Sequence, residues 1–155
     1  MKEVTREVIR AFLDPFEGRH RRGKDGLLYP YLCPAGKATI GLGSLCKDLS
    51  VPPITDEIAE MLAAKEIAMI LKRLRTLSPV LFAPRHSHLL VVIVDFCYNL
   101  GCTAYAGSRL RRAVNADATD LDTICAQLMR WIWGGGRKLR GLERRRRAEC
   151  RYLTA

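Results

Sequence analysis

Three residues stand out for what their side chains can do and for their closeness in sequence. They are Glu17, Cys33 and Thr39, within FEGRHRRGKDGLLYPYLCPAGKATIGLGS at 16–44. Glu17 follows an apolar helix face and precedes a glycine, a place where a lobe junction would partly desolvate it. Burial raises a carboxyl pKa and keeps a proton available for transfer, as a general acid requires. Cys33 precedes Pro34 in a turn sequence, and Thr39 precedes Ile40 and Gly41. By composition alone plainer readings stand beside these: Glu17 a solvated helix-end charge, Cys33 a packed turn thiol, Thr39 an ordinary strand residue. Other chemistries are poorly served. His20, His86 and His88 are scattered among basic residues with no third ligand at helical spacing, so no metal site is expected. GGGRK at 134–138 lacks the strand and spacing of a phosphate loop, and there is no Gly-x-Ser-x-Gly elbow. No cofactor is expected.

The elements that must position these groups follow from periodicity and punctuation. Val8, Ile9, Phe12 and Leu13 recur at helical spacing between Thr5 and Phe16, and Asp14-Pro15 ends that helix. Residues 18–26, charged and glycine-containing, predict a loop. Residues 27–43, with Tyr, Leu, Thr and Ile punctuated by Pro30, Pro34, Gly36, Gly41 and Gly43, predict a short antiparallel sheet. Thr55 is placed to cap a long helix with Asp56 and Glu57 in its first turn and Lys72, Arg73 and Arg75 near its end. Its expected apolar side is Ile58, Leu62, Ile67, Ile70, Leu71 and Leu74. Residues 86–100 are apolar nearly all round, as a central helix should be, with Gly101 as the stop. Ser108 caps a short helix to Val114, and Asp120 or Thr119 starts another carrying Leu121, Ile124, Leu128 and Trp131. GGG at 134–136 then breaks the chain before a basic helix over 139–153. The expectation is one domain of α+β class, mostly α. A hairpin lobe (about 17–54) and a linking helix (about 55–77) lead to a larger helical lobe (about 78–155) that includes the N-terminal helix.

The length of 155 residues suits one domain with a proper core, and 48% of the residues are hydrophobic. Lys and Arg number 26 against 16 Asp and Glu, a formal charge of +10, which favours an anionic partner such as a wall polymer or membrane surface. The arginine clusters are not interleaved with aromatics and no recognition-helix pattern appears, so a specific nucleic-acid partner is not expected. The run RRRR at 144–147 covers nearly a turn, part of it a solvated face and part a partner for neighbouring elements. Six cysteines without a CxxC pair point to reduced thiols and synthesis in the cytosol. The first residues show no signal-peptide core, and LLVVIVDFCYNLG is too short for a membrane span and contains Asp95.

Taken together and in order, FEG, YLCPAGKATIGLGS, FCYNLG, GSRLRRAVNAD and MRWIWGGGRKLRGLERRRRAE resemble the phage-type lysozymes of glycoside hydrolase family 24, from about residue 5 to the C-terminus. The resemblance implies a lysozyme-like fold and a muramidase that cuts the N-acetylmuramic acid to N-acetylglucosamine bond of peptidoglycan, lysing the host. It aligns Glu17 with the catalytic glutamate. Cys33 takes the position held by aspartate or, in one branch, cysteine in a Cys-Pro-Ala-Gly context, and Thr39 matches the threonine before Ile-Gly. Tyr98 and Asn99 fall at positions beside the cleft, where Asn99 either binds a saccharide amide or caps its helix. The family usually leaves about eight residues between the glutamate and the second group, whereas fifteen, 18–32, stand here. The excess reads as an insertion over 19–25, whose arginines are candidates to stabilise a Cys33 thiolate. Asp25 is a competing carboxylate at nearer the usual spacing. Leu42 and Ser44 replace the family's usual aromatic and histidine. Further implications are a monomer, electrostatic attraction to an anionic envelope, and release to periplasmic peptidoglycan by a holin-like protein. A lytic transglycosylase and a catalytically impaired wall-binding protein are the alternatives.

Overall fold

Helix α1 (Arg6–Leu13) buries Ile9 and Leu13, one turn apart, and residues 14–16 close it, Phe16 N donating to Leu13 O at 2.9 Å. Arg10 bridges from this helix to Glu60 at 3.0 Å and to Asp14 at 2.9 Å. The computed structural model describes residues 6–16 and 21–155. The expectations placed on Glu17 and on 17–20 of the charged segment therefore lie outside the described residues.

The rest of that segment, 21–26, holds no helix or strand, as expected of a loop, but it is tied down. Arg22 and Leu28 form an isolated bridge, and Leu28 forms a second with Ile54, so 21–29 folds back on itself. Gly23 N donates to Leu27 O and Tyr29 N to Arg21 O, both at 2.8 Å. Arg22 grips Asp56 with two bonds of 2.9 Å. Charge and glycine content predict a loop, and the backbone pairings and this bidentate pair fix its path.

The hairpin lobe is a three-stranded antiparallel sheet in the order β1 (Tyr31–Leu32), β2 (Ala38–Ile40), β3 (Ser44–Leu45). Thr39 faces Tyr31 on one side and Leu45 on the other. The linking helix α2 (Asp56–Leu77), 22 residues or about 33 Å long, starts at Thr55, whose hydroxyl accepts from Ile58 N at 3.3 Å. Its buried side differs from the expectation. Ala59, Ala63, Ile67, Ile70 and Leu74 face inward, while Ile58 (44%) and Leu62 (36%) are exposed. The hairpin approaches so closely that a Cβ on Gly41 would lie 2.9 Å from the Ala59 Cβ, so alanine rather than a larger residue faces it.

The helical lobe is built around α3 (Ser87–Leu100), in which every residue from Leu89 to Tyr98 is buried, Asp95 included. Gly101, at φ 91°, stops it, and the unanticipated short helix α4 (Cys102–Ala106) follows. Helix α5 (Arg109–Ala116) is capped by Ser108, whose hydroxyl accepts from Arg111 N at 3.0 Å. Helix α6 (Leu121–Leu128) is capped by Asp120, which accepts from Thr123 N at 3.0 Å. Trp131 lies beyond α6 rather than on it and packs edge-on against Phe96 at 5.2 Å, whereas Trp133 is 63% exposed. The GGG segment is the turn of a second hairpin, β4 (Trp133–Gly134) with β5 (Arg137–Lys138). Gly135 and Gly136, at φ 57° and 75°, supply the two positive angles a two-residue turn needs. The basic helix α7 (Arg140–Thr154) completes the fold. Sulfur makes no cross-links here: all six cysteines are free.

Candidate active site

The turn sequence Cys33-Pro34-Ala35-Gly36 behaves as its residues dictate. Proline presets the second turn position and Gly36 takes φ 76°, so Gly36 N reaches Cys33 O at 2.8 Å. Cys33 N then donates to Lys37 O at 2.9 Å, which carries the β1–β2 ladder one residue past Leu32. With Tyr31 opposite Thr39, Cys33 stands opposite Lys37 and diagonal to Thr39. Side chains alternate along a strand, so Cys33 and Thr39 share one face of the sheet, about 7 Å apart as diagonal neighbours. Cys33 is half-buried and Thr39 is buried, its hydroxyl donating to Lys37 O at 3.0 Å.

The other candidates sit at the end of α3. Tyr98 is buried, and its hydroxyl donates to Leu42 O at 2.8 Å, tying the helical lobe to the β2–β3 turn. Asn99 does not cap its helix; Gly101 N does so by reaching Cys97 O at 2.8 Å. The Asn99 side-chain oxygen instead accepts from Arg146 at 3.2 Å.

Behind this end lies a buried ionic cluster that sequence reasoning did not assemble. Arg145 holds Asp95 with bonds of 2.9 and 2.8 Å, and Arg146 lies 2.7 Å from Glu149 and 3.8 Å from Asp95. All four residues are 5% exposed or less. Burial and a shared hydrogen bond with Asp95 push the Glu149 carboxyl well above the usual range, against the pull of Arg146. Asp95 within an otherwise apolar run was the one available signal. The Arg145 guanidinium also lies 5.1 Å from the centre of the Phe16 ring, so the cluster reaches the residue that immediately precedes Glu17. RRRR thus divides: Arg145 and Arg146 are buried, while Arg144 and Arg147 are exposed and Arg147 pairs with Glu143 at 2.9 Å.

Asp25 is occupied with its own turn. It accepts from Tyr29 Oη at 2.7 Å and from Leu27 N at 3.1 Å, bonds that hold its carboxyl below the usual range. Arg22, committed to Asp56 and to Gly26 O, is not a free cation for Cys33. A cavity of about 270 Å³ lined by Arg85, His86, His88 and Leu153 sits at the opposite end of α3 from Asn99, about 20 Å away by helix rise, and does not belong to this site.

A small sheet carrying a thiol and a threonine, a long linking helix and a helical lobe together define a lysozyme-type glycoside hydrolase. Residues 24–149 match the family model for phage lysozyme, and the chain belongs to that family, whose substrate is peptidoglycan. The match begins downstream of Glu17. The chain is 30% identical over 129 residues to a SAR-endolysin of Bacteriophage PS34, covering 82% of this chain and 74% of that protein. It is 31% identical over 126 residues to an endolysin of Acyrthosiphon pisum secondary endosymbiont phage 1, covering 79% and 83%. Among solved structures, the muramidase domain of SpmX from Asticaccaulis excentricus superposes with a TM-score of 0.74 over 100% of this chain and 99% of that one, at 22% identity. The active form of P1 phage endolysin Lyz gives 0.73 over 98% and 85%, at 20% identity. These two share the fold.

Proposed function

We propose that this enzyme hydrolyses the β-1,4 bond between N-acetylmuramic acid and N-acetylglucosamine of peptidoglycan, with Glu17 as general acid and Cys33 and Thr39 handling the water. Glycoside hydrolysis needs a proton for the leaving oxygen and a nucleophile or base at the anomeric carbon. The observation that carries the reading is the placement of Cys33 and Thr39 on one sheet face as diagonal neighbours. The Thr39 hydroxyl spends its proton on Lys37 O, so towards a water it acts as an acceptor. The Cys33 sulfur accepts the same water's other hydrogen, and the water's oxygen is left to face the sugar. A water fixed in this way favours hydrolysis over the internal capture of a lytic transglycosylase. Asn99, its oxygen held by Arg146, offers its amide N–H to a saccharide acetamide, while Tyr98 acts by holding Leu42 in place.

The relatives named SAR-endolysin support action on periplasmic peptidoglycan; a monomer and synthesis in the host cytoplasm are this reading's own additions. Release by a holin-like protein is part of this reading. Among the described residues, no helix is long and apolar enough to cross a membrane. The charge of +10 supplies attraction to an anionic envelope. Turbidity loss of permeabilised Gram-negative cells tests the assignment. Glu17→Gln abolishes lysis, and Cys33→Ser lowers it more than about tenfold. Full lysis by Glu17→Gln overturns the mechanism; full lysis by Cys33→Ser removes Cys33 from it.

A further inference from the structure

Helix α2 turns outward a face that combines two kinds of side chain. Met61 is 70% exposed and Met69 61%, and Ile58 and Leu62 are exposed as well. At about 100° per residue these four fall within about 60° of one line along the helix, over a length of about 17 Å. Lys65, Lys72 and Arg73, all exposed, lie in the same stripe. No carboxylate does. Asp56 and Glu60 fall on the other side, where Arg22 and Arg10 hold them, and Glu57 and Glu66 fall about 80–100° off the line. Among the described residues, no other helix exposes more than one large apolar side chain, and the exposed arginines of α7 stand without any.

We propose that this stripe of α2 is a docking face for an anionic phospholipid surface, with the helix lying in the plane of the headgroups. Ile58, Met61, Leu62 and Met69 enter the boundary between headgroups and acyl chains, while Lys65, Lys72 and Arg73 pair with lipid phosphates. Charge selects this occupant. A second copy packed stripe to stripe would set the three cations against their own kind, with no carboxylate between them. A wholly polar polyanion would satisfy the cations but leave the four apolar side chains in water. A lipid surface answers both. Such a face gives a place to the envelope attraction read from the net charge, on which it rests, and is independent of glycan cleavage.

Co-sedimentation of the full-length protein with vesicles tests this, since vesicles carry no peptidoglycan. Vesicles of phosphatidylglycerol and phosphatidylcholine in equal parts should retain the protein, and phosphatidylcholine alone should not. Met61→Ser combined with Met69→Ser keeps the net charge and alters only exposed positions; partitioning should fall about tenfold. Lys65→Gln with Lys72→Gln should lower it at least about tenfold, and Arg144→Gln with Arg147→Gln, the same loss of charge on α7, by less than about threefold. Circular dichroism checks that each variant is folded. Unchanged partitioning of the serine pair overturns the proposal. Equal losses from the α2 and α7 glutamine pairs also overturn it, leaving only a diffuse attraction by net charge. Failure of the native protein to sediment with the mixed vesicles overturns both. A dimer in solution that the serine pair dissociates gives the face to a second copy instead.

Discussion

At the scale of single residues, two hydroxyls separate chemistry from scaffolding. Thr39→Val keeps the side-chain shape but removes the bond to Lys37 O and the acceptor for water. Stability should fall by about 1 kcal/mol, and lysis by more than the denaturation curve accounts for. Tyr98→Phe should show the opposite balance. It leaves Leu42 O unpaired in a buried place, costing about 1–2 kcal/mol in urea denaturation. Lysis at a temperature where both proteins are folded should change less than for Thr39→Val. Turn chemistry is local, so the conformation of Cys33-Pro34-Ala35-Gly36 was legible in the sequence. The commitment of Tyr98 to a carbonyl 56 residues away was not, because nothing near either residue encodes the other.

At the scale of elements, starts and stops were legible and faces were less so. Thr55, Ser108 and Asp120 each cap the helix expected of them, and Gly101 ends α3, because caps answer to backbone groups within a turn. The inward side of α2 is set by what packs on it: Ala59 and Ala63 are buried where the pattern suggested Ile58 and Leu62, and Gly41 of the hairpin leaves room only for a small residue at Ala59. Gly41→Ala tests that packing. The new methyl would meet the Ala59 Cβ at 2.9 Å, and the backbone is at φ 62°, so both crowding and strain oppose it. A loss of about 2–4 kcal/mol is expected in chemical denaturation, accompanied by reduced lysis as the hairpin shifts. The loop at 21–26 was legible but its anchoring was not, for a related reason: it is held by Ile54 and Asp56, both remote in sequence.

At the scale of the whole molecule, the buried cluster of Asp95, Arg145, Arg146 and Glu149 joins α3 to α7 and, through Phe16, to the end of α1. Its members differ in importance. Asp95→Asn strips Arg145 of its bidentate partner and should cost about 3–5 kcal/mol. Glu149→Gln should cost less than Asp95→Asn, since burial already works against the charged carboxyl. With a folded pKa above the unfolded value of about 4.3, the native state binds a proton that the unfolded chain has released. Stability is therefore lost as pH rises from there towards the folded pKa. Melting temperatures from pH 4.5 to 8 should fall less steeply for Glu149→Gln than for the native protein; parallel profiles would contradict the assignment.

The central claim concerns which bond is cut and what captures the sugar. Mass spectrometry of the soluble products from purified peptidoglycan reads both at once. Hydrolysis by Glu17 with water held at Cys33 and Thr39 predicts fragments ending in reducing N-acetylmuramic acid. Products ending in 1,6-anhydro-N-acetylmuramic acid, or in reducing N-acetylglucosamine, would contradict it.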